Sequence, residues 1–532
     1  MEKIAIFILL NWAGLRNKIT KMRLYESHLS PFDHQDYWID QTLDKEYWAY
    51  FHKMGTGKTK IVLDLAGELF LRDEIDGVLI VAPIGVHREW VNVDLKVNFA
   101  LPYKRYICGD KESEDVDYAC KDIIFLSCSI PSMSRKIGPE LAREFLNHRR
   151  CLFVIDESII LKNPRTKFYK HVMGLRDLAP YRRILAGNPY PESFFDIWGQ
   201  SKFLDPDIYD VGLSEFKETY GKVEKSFIKR NGVLKEIRRF VPNPLWVDRL
   251  KRGVKEWASF VGKKVLGLPE KMPPRTLLYK HSDAQKALSK AIQTTRLDQH
   301  EKLVGEVFDQ NITIKIDSAM ARIIRLQEIN AGYIRDEEGK VWPLKSDQSP
   351  KHLILKELIQ KIQENDPDEQ IIIFCRFKPD VNQIEGCLRD MGKLKKRDYN
   401  LMVGGQDEVA REQIKHDFVA RKFKILVLSI GVGARGLNLQ TANHEIFWNN
   451  TYSGDQREQA EDRIHRSGQE SPCYYYDIVA EDSIDEVILE AVRKKINLAQ
   501  ALTSDEKNIK KISDVRADWS ELKKELTDAL FN

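Results

Sequence analysis

The 532-residue sequence lacks several features that would each indicate a particular class of protein. Its seven cysteines include no C-x-x-C pair, which excludes a zinc ribbon and a dithiol redox site and fits a reducing compartment. The apolar run from Ile4 to Leu10 is too short to span a bilayer, and no other segment has the length of a transmembrane helix. Solenoid repeats and low-complexity stretches are also missing. We therefore expect neither a membrane span nor a disulfide framework.

A strong charge imbalance is missing as well, because the formal net charge is only +4 although 31% of the residues are charged. Basic residues are instead concentrated between Lys222 and Lys264, where thirteen Lys or Arg stand against four Asp or Glu. Trp246 and Trp257 are interleaved with them. Such a stretch can contact phosphates without reading sequence, or it can be a solvated helix surface with its aromatic residues facing the core. Both interpretations stay open.

Two regions of the chain alternate short apolar strands with helical patterns, which is typical of parallel α/β sheets. With 42% hydrophobic residues, the chain can bury at least two cores. Residues 200–350 lack this rhythm and are predicted to be helical. The predicted strands of the two regions are Val78–Val81, Ile123–Leu126, Leu152–Ile155 and Arg183–Leu185, then Gln370–Phe374, Lys424–Leu428 and Glu445–Trp448.

A phosphate-binding loop is predicted in the segment HKMGTGKT, which begins at His52. Glycines let the backbone bend so that successive N–H groups face a phosphate, and the helix that follows adds its positive N-terminal end. Lys58 can reach the β- and γ-phosphates, and the Thr59 hydroxyl suits Mg²⁺. The loop lacks the first glycine of the strict G-x-x-x-x-G-K-[ST] pattern, so from the motif alone a nucleotide site and a chance match are about equally favoured. The candidate nucleotide-binding residues of this loop are Met54, Gly55, Thr56, Gly57, Lys58 and Thr59.

A second motif is the apolar run that begins at Cys151 and ends in two acids, Asp156 and Glu157. The carboxyl end of a buried strand is where α/β sheets bind ligands. Asp156 is predicted to hold Mg²⁺, and Glu157 to orient and deprotonate the attacking water. Two solvated acids at a strand end would be the plainer interpretation. Their place about a hundred residues after a phosphate-binding loop favours the catalytic one.

A third motif, in the second α/β region, contains Arg463 and Arg466. Three residues apart on a helix, their side chains would project from the same face. Paired guanidiniums can stabilise the charge that develops on a transferring phosphoryl group, which is worth about 10³–10⁵ in rate. Composition alone favours a solvated, charged helix face.

Taken in order, these motifs resemble the Swi/Snf (Snf-type) branch of superfamily 2 helicases over about residues 29 to 500. The most specific match is the string QAEDRIHRSGQ, which begins at Gln459 and is close to a family signature. The remaining matches are Leu29 to Gln35, Ala82-Pro83 with Trp90 (motif Ia), Asp156-Glu157 with Leu161 to Asn163 (motif II), Leu185 to Pro189 (motif III), Leu268 to Lys271 (the link between lobes), Ile372 to Arg376 (motif IV), Gly404-Gly405 with Arg411 and Phe418, and Ser429 to Gln440 (motif V).

The resemblance implies an α/β fold of two RecA-like parallel-sheet lobes, with helical insertions between them and ATP and Mg²⁺ in the cleft. It implies that Gln35 reads adenine and that Gly436 and Gln459 also contact the nucleotide. Lys58, Glu157, Arg463 and Arg466 would be the catalytic residues. The predicted divisions are an N-terminal extension (1–28), lobe 1 (29–205), a helical linker or protrusion region (206–350), lobe 2 (351–500) and a C-terminal helical tail (501–532).

Three departures from the family pattern bear on how hydrolysis is coupled to movement. Ser158-Ile159 stands where the family has A-H or A-Q after the D-E pair, and Ile159 cannot hydrogen-bond to the γ-phosphate or to motif III. Ala186 and Asn188 replace the two threonines of motif III, and Gly433-Ala434 replaces the double glycine of motif V. We expect ATPase activity, with the departures affecting coupling more than ATP binding.

Candidate DNA contacts lie in three places. The basic stretch supplies Arg238, Arg239, Lys251 and Arg252, and motif IV supplies Arg376. Ser127 follows an apolar strand where the family contacts a phosphate backbone, but short hydroxyl residues there equally suit a helix cap.

The resemblance predicts an ATP-driven motor that translocates on double-stranded DNA and remodels DNA or DNA–protein structures. Two alternatives are kept: a helicase that remodels forks or junctions, and an ATP-controlled DNA clamp with weak turnover. The partners would be double-stranded or branched DNA and a recruiting protein, with no membrane, and the chain would be a monomer. It resembles the compact bacterial or phage members, which would place it in a bacterial or phage-infected cytoplasm.

Overall fold

The computed structural model describes residues 23–190, 193–230, 233–294, 299–303, 312–344, 349–392, 395–433 and 438–503. The chain divides into two compact units, the first ending at Leu266 and the second beginning at Gly267. The apolar run Ile4 to Leu10 and most of the predicted C-terminal tail lie outside the described residues.

The first unit is an α/β unit with a seven-stranded sheet and a separate hairpin. Its strands are β1 (Tyr47–His52), β2 (Gly77–Ala82), β3 (Tyr103–Ile107), β4 (Ile123–Ser129), β5 (Cys151–Asp156), β6 (Tyr181–Leu185), β7 (Gly221–Arg230), β8 (Val233–Pro242) and β9 (Ala258–Val261). Its α-helices are α1 (Asp33–Thr42), α2 (Lys58–Leu71), α3 (Val86–Glu89), α4 (Leu95–Asn98), α5 (Ile130–Met133), α6 (Ile137–His148), α7 (Lys167–Met173), α8 (Ile197–Leu204), α9 (Leu213–Tyr220) and α10 (Pro244–Val254), with a π-helical turn at Trp90–Asp94.

All strands of the large sheet pair in parallel, in the order β3-β4-β2-β5-β6-β1-β9. The central strands are continuous apolar runs because helices cover both faces of such a sheet; every residue of β2 is buried. Because the strands are parallel, the loops that follow β1, β5 and β6 all leave the same edge. These three strands are neighbours, so their loops are brought side by side.

The hairpin of β7 and β8 belongs to neither large sheet. Its two ten-residue strands pair antiparallel from Gly221 opposite Pro242 to Arg230 opposite Val233. The two residues between the strands are Asn231-Gly232, a dipeptide strongly favoured in two-residue hairpin turns. The prediction of a helical region missed this hairpin, although that dipeptide was a readable signal for it.

The second unit has a six-stranded sheet and two small hairpins. Its strands are β10 (Arg275–Tyr279), β11 (Gln299–Leu303), β12 (Ile312–Ile316), β13 (Tyr333–Arg335), β14 (Val341–Pro343), β15 (Ile371–Cys375), β16 (Tyr399–Met402), β17 (Ile425–Ser429), β18 (His444–Phe447) and β19 (Tyr474–Ala480). Its helices are α11 (Asp283–Thr294), α12 (Ala319–Asn330), α13 (Pro350–Asn365), α14 (Lys378–Asp390), α15 (Glu408–Val419), α16 (Ile430–Gly433), α17 (Gly454–Glu461) and α18 (Ile484–Thr503).

The large sheet of the second unit is also parallel, in the order β10-β19-β18-β15-β17-β16. Two apolar clusters pack on its two faces, one containing Ile373 and Trp448 and the other containing Phe374 and Phe447. A third cluster joins β12 with α11, α12 and α18. The predicted fold of two RecA-like parallel-sheet lobes is confirmed, and each of the seven predicted strands is present with its ends within three residues of the predicted ones.

Residues 206–350 are less helical than predicted, because they include strands β7 to β14 as well as helices. Two of these strands extend the large sheets: β9 pairs with β1, and β10 pairs with β19. Short edge strands of this kind gain their stability from a neighbour distant in sequence, which a local pattern does not reveal. The predicted boundaries at residues 205 and 350 stay predictions.

Among the helices of the described residues, not one combines the length and the apolar character needed to cross a bilayer.

Candidate functional site

The predicted phosphate-binding loop connects the end of β1 to the start of α2. Gly55 and Gly57 have φ angles of 81° and 80°, in the left-handed region that favours glycine. A Cβ atom at Gly57 would also lie 1.9 Å from Nε2 of Gln35. Glycine is therefore required at position 57 both by the turn into the helix and by the close approach of Gln35.

Two side chains from α1 hold the loop at one carbonyl. The amide of Gln35 donates from Nε2 to the carbonyl oxygen of Thr56 at 3.1 Å. Because that oxygen can only accept, the ring of His34 donates to it from Nε2 at 2.8 Å. Gln35 is 3% exposed and its Oε1 accepts from the backbone N–H of Phe32. The residue predicted to read adenine thus contacts the phosphate-binding loop itself, and adenine recognition stays a prediction.

Lys58 occupies the first turn of α2, and its ammonium donates to the carbonyl oxygen of His52 at 2.8 Å. Both Lys58 and Thr59 are half-buried. Lys58 therefore has an acceptor at the end of β1, and a phosphate oxygen could take the place of that carbonyl. Burial, followed by the nearby charge of Lys58, lowers the pKa of the His52 ring well below its usual value, so this histidine is neutral.

Asp156 ends β5 and accepts two hydrogen bonds. The indole N–H of Trp90 donates to Oδ2 at 3.0 Å, and the backbone N–H of Glu157 donates to Oδ1 at 2.9 Å. Burial raises the pKa of this carboxyl, while the Trp90 bond and the charge of Lys58 oppose the rise. Trp90 begins a π-helical turn, a feature frequent at functional sites.

Glu157 has a left-handed backbone, with φ 55° and ψ 54°. This conformation costs a non-glycine residue about 1–2 kcal/mol, and such residues cluster at functional sites. The strand therefore ends abruptly, and the side chains of Asp156 and Glu157 do not simply alternate across the sheet.

The loop after β6 lies against the phosphate-binding loop. A Cβ atom at Gly187 would be 3.4 Å from Cγ of Met54. The side chain of Asn188 is buried, and its Oδ1 accepts from the backbone N–H of Tyr190 at 3.0 Å. The motif II, motif III and phosphate-loop residues predicted for the first unit are therefore brought to one edge of one sheet.

The donor set at this edge fits Mg²⁺, since the Thr59 hydroxyl and the Asp156 carboxylate are both oxygen ligands. Each carboxylate oxygen of Asp156 accepts one hydrogen bond, from Trp90 or from the Glu157 amide, and an ionised carboxylate oxygen has a further lone pair for a metal ion. Within the described ranges, no group of three or more His, Cys, Asp or Glu is arranged to hold a metal ion. A metal here would therefore need additional ligands, which the oxygens of a phosphate chain can supply.

In the second unit, the prediction that Arg463 and Arg466 share a helix face is wrong. Helix α17 ends at Glu461, and both arginines lie in the turns that follow. The carbonyl of Arg463 accepts from the backbone N–H of Leu439 at 3.3 Å, a long-range bond that replaces the helical one. Arg463 is 1% exposed, whereas Arg466 is half-buried.

A buried charged group beneath this segment was not predicted. Arg457, 2% exposed, bonds to Oε1 of Glu461 at 2.7 Å and forms a close ion pair with fully buried Asp477. Lys271 bonds to the other oxygen of Glu461 at 2.7 Å. Burial alone would raise the pKa of Glu461, but Lys271 and Arg457 lower it to about 2.

The segment predicted to link the lobes is thereby attached to the signature segment. Besides the bond from Lys271 to Glu461, the ring of His465 contacts the carbonyl oxygen of Pro269 at 2.9 Å. No local pattern in the sequence signals either contact, because about 190 residues separate the partners.

The two other predicted nucleotide contacts of the second unit are not brought into a site by the described structure. Gln459 is half-buried on α17, and its amide donates to Asp455 at 3.1 Å. Gly436 lies outside the described residues. Both assignments stay predictions.

The candidate DNA contacts have different surroundings. Ser127 is fully buried and donates to the carbonyl oxygen of His87 at 2.6 Å, which removes it as a phosphate contact. Ser129 caps α5 by accepting from the Ser132 N–H, as the capping interpretation predicted. The guanidinium of Arg376 lies 4.5 Å from the ring centre of Tyr452 and bonds to Gln327, so it is engaged within the second unit.

The basic stretch forms β7, β8 and α10. Arg238 and Arg239 stand opposite Lys225 and Glu224 in the hairpin register. On α10, Lys251 is half-buried and Arg252 is exposed, while exposed Arg249 lies over the ring of Trp246 at 5.4 Å.

The sequence matches two family models in succession, a SNF2-related domain over residues 50–266 and a helicase conserved C-terminal domain over residues 351–468. The chain is 24% identical over 500 residues to the ATP-dependent helicase fft1 of Schizosaccharomyces pombe, covering 86% of this chain and 51% of that protein. It is 23% identical over 484 residues to the ISWI chromatin-remodeling complex ATPase ISW1 of Saccharomyces cerevisiae, covering 88% and 39%. The chain thus spans about half the length, or less, of these relatives.

Among solved structures, the chain is similar to the SWI2/SNF2 ATPase core of Sulfolobus solfataricus in complex with double-stranded DNA. The identity is 20% and the TM-score 0.40, with 94% of this chain and 98% of that chain covered.

Proposed function

The chain belongs to the SNF2-related helicase family, and from that premise we propose that it is a DNA-stimulated ATP hydrolase that translocates on double-stranded DNA. The observation that carries this proposal is the convergence of three loops at one edge of the first sheet. They bring the helix start with Lys58, the acids Asp156 and Glu157, and the Gly187 loop together. This arrangement suits a triphosphate on one side and an attacking water on the other.

In the proposed reaction, Lys58 leaves the carbonyl of His52 and binds the β- and γ-phosphates. Backbone N–H groups of the loop and the start of α2 bind the phosphate chain. Glu157, held in its left-handed conformation at the end of β5, orients the attacking water and accepts its proton. Hydrolysis releases ADP and phosphate.

We propose that the Thr59 hydroxyl and the Asp156 carboxylate would hold Mg²⁺. When bound, the ion neutralises negative charge on the phosphates. The protein orients the Asp156 carboxylate through two hydrogen bonds, which the indole N–H of Trp90 and the backbone amide of Glu157 donate to it.

Arg463 and Arg466 of the second unit are proposed to complete the site when that unit approaches bound ATP. Arg466 is the stronger candidate because it is half-buried, whereas Arg463 is 1% exposed. Closure that depends on the γ-phosphate would then be released by hydrolysis, and its repetition would move the protein along DNA.

The basic stretch from Lys222 to Lys264 is proposed to contact DNA backbone phosphates. Exposed Arg249 and Arg252 on α10 support this, because phosphate contacts by such side chains need no base recognition. Relatives named as a chromatin-remodeling complex ATPase and, in Eremothecium gossypii, as a DNA repair protein support DNA as the substrate class.

The proposal is tested by measuring ATP turnover with duplex DNA, single-stranded DNA, forked DNA and RNA at one salt concentration. We expect duplex DNA to stimulate turnover most; equal stimulation by all four would contradict duplex translocation.

Binding to duplex should weaken with salt, and Arg252→Ala should reduce the slope of log K against log salt by about 0.9. Lys136→Ala, which removes a well-exposed charge from another helix, is the control.

The hairpin of β7 and β8 favours one alternative, a helicase that remodels forks or junctions. A hairpin with ten-residue strands that is separate from both large sheets is a candidate element for separating DNA strands. Replacing residues 222–241 with a short Gly-Ser linker should abolish fork remodelling in that case and lower duplex-stimulated turnover to a smaller extent, because part of the basic stretch is removed as well.

The other alternative, an ATP-controlled DNA clamp, is favoured by Ile159 and Asn188, which depart from the family pattern. Tight ATP-dependent DNA binding without release of phosphate would support it over a motor.

We further propose that the chain acts as a monomer in a reducing bacterial or phage-infected cytoplasm and is directed to its target by a protein partner. All seven cysteines are free thiols, and six of them are buried, which agrees with such a compartment.

A further inference from the structure

Ser158 follows the proposed general base Glu157. It is connected to the loop after β6 by hydrogen bonds of one side chain, Gln200 of α8. Ser158 is fully buried, and its hydroxyl donates to Oε1 of Gln200 at 2.8 Å. Gln200 is also fully buried, and its Nε2 donates to the carbonyl oxygen of Pro189 at 2.9 Å. The same nitrogen donates to the carbonyl oxygen of Asp196 at 3.1 Å. Gln200 therefore joins two separate loops of the candidate site.

The amide of Gln200 can take only one orientation. Its nitrogen faces two carbonyl oxygens, which cannot donate, and its oxygen faces the Ser158 hydroxyl. A flipped amide would place its nitrogen against the Ser158 hydroxyl and its oxygen against two carbonyl oxygens, which would leave buried acceptors without donors. The hydrogen bonds of Gln200 therefore form a fixed connection between the turn after Glu157 and the Pro189 loop.

Gly199 allows helix α8 to come close enough for this connection. A Cβ atom at position 199 would lie 2.0 Å from the carbonyl oxygen of Leu161, in the 3₁₀ turn that begins at Ser158. The helix thus packs backbone against backbone on the turn that follows Glu157, and the next residue, Gln200, reaches Ser158.

The Pro189 loop also contacts the phosphate-binding loop. The N–H of Ala186 donates to the carbonyl oxygen of Tyr50 in β1 at 3.2 Å, and a Cβ atom at Gly187 would lie 3.4 Å from Cγ of Met54 in the phosphate-binding loop. Through Gln200, the backbone around Glu157 is therefore fixed relative to the loop that would hold the phosphates. Ile159 cannot hydrogen-bond, so the polar connection between these segments runs through Ser158 instead.

We propose that Gln200, together with Ser158, is a positioning residue that sets Glu157 relative to the phosphate-binding loop. The inference rests on the proposed ATP hydrolysis and deepens it, because it gives a role to Gln200, which lies outside the recognised motifs. A displaced Glu157 would leave ATP bound but its attacking water misaligned, so turnover falls while affinity stays.

The test compares Ser158→Ala, Gln200→Leu and the double variant with the wild-type protein. We expect each single variant to lower kcat about tenfold with the ATP Kd changed less than twofold, a loss equal to about 1.4 kcal/mol. The double variant removes the buried Ser158 hydroxyl that Gln200→Leu leaves without its acceptor, so its melting temperature should rise above that of Gln200→Leu while kcat stays low.

Gln370→Leu is the matched control. Its buried amide also donates to two carbonyl oxygens, those of Phe418 and Phe423 at 2.8 and 3.0 Å, but it precedes β15 in the second unit. This variant should lose stability and keep kcat. If kcat recovers together with stability in the double variant, Ser158 and Gln200 affect turnover only through the stability of the fold. An equal loss of kcat in Gln370→Leu would lead to the same conclusion. Wild-type turnover no higher than that of Lys58→Ala would instead remove the proposed function, and this proposal with it.

Discussion

The two units are built on the same kind of parallel sheet, yet they differ in how their candidate residues are held. In the first unit, the phosphate-binding loop and the two acids follow strands β1 and β5 directly, so the backbone places them. In the second unit, Arg463 and Arg466 lie in turns beyond the end of α17. Contacts with distant segments, such as Leu439 and Pro269, hold those turns.

This difference separates catalytic groups fixed by a local strand-to-helix turn from groups fixed by a tertiary network. The first kind takes its main geometry from the sheet, and in our proposal Ser158 and Gln200 only refine the position of Glu157. The second depends on the buried charges of Arg457, Glu461, Lys271 and Asp477, and on the attachment of the Leu268 to Lys271 segment. Substitutions should therefore act mainly on chemistry in the first unit and on both chemistry and stability in the second.

The largest effect is expected for Arg466→Ala. If this guanidinium stabilises the transferring phosphoryl group, turnover should fall about 10³–10⁵-fold while ATP affinity changes little. Steady-state kinetics and nucleotide titration measure the two quantities. Arg463→Ala is the comparison: its side chain is buried, so we expect it to lower the melting temperature as well. Unchanged turnover in Arg466→Ala would contradict a site completed by the second unit.

Glu157→Gln should reduce turnover about 10²–10⁴-fold, the range for loss of a general base, with ATP binding retained. Glu157→Gly offers a second measurement at the same position. It should also be inactive but should relieve the left-handed backbone and raise the melting temperature. A melting temperature for Glu157→Gly below that of Glu157→Gln would mean that the backbone at this position is not strained.

Arg457→Met should destabilise the second unit by about 3–5 kcal/mol, because it takes the closest cation from buried Asp477 and one of the two cations that bond to Glu461. Denaturant unfolding followed by tryptophan fluorescence would measure the loss. Arg389→Met, which removes a largely exposed ion pair with Glu385 on α14, is the control and should cost less than about 1 kcal/mol. Similar losses for the two variants would contradict the importance of the buried network.

The smallest effect concerns acid sensitivity of the second unit. Burial lowers the pKa of His352 from 6.5 to about 4, so its stabilising neutral form is fully present above pH 6.5. Between pH 6.5 and about 4 the unfolded chain binds the proton first, and stability falls as the pH drops. At pH 5 the free energy of unfolding is lower by about 2 kcal/mol because of this group.

His352→Asn should therefore reduce the stability loss between pH 7 and pH 5 relative to the wild type. His416→Asn, at an exposed position of α15, serves as the control and should leave that loss unchanged. Equal pH dependence in all three proteins would show that folding does not lower the pKa of His352.

Much of the candidate site in the first unit was predictable because the functional residues of each motif are adjacent in the sequence. A glycine-rich loop before a helix and two acids after an apolar strand each specify local backbone geometry. The roles of Trp90 toward Asp156 and of Gln200 toward Ser158 were not predictable, because 66 and 42 residues separate the partners. Ser127 was misjudged for the same reason, since its carbonyl acceptor at His87 lies 40 residues away.

The sequence by itself determined the two parallel sheets, the position of the phosphate-binding loop and the order of the motifs. Hydrophobic periodicity and turn chemistry act over a few residues, and they fix strands and the loops that follow them. Only the tertiary structure decided where α17 ends, which arginine is buried, and that Gln200 joins two loops of the site. Those features depend on burial and hydrogen bonds between distant segments, where desolvation makes one arrangement of polar groups far more stable than any other.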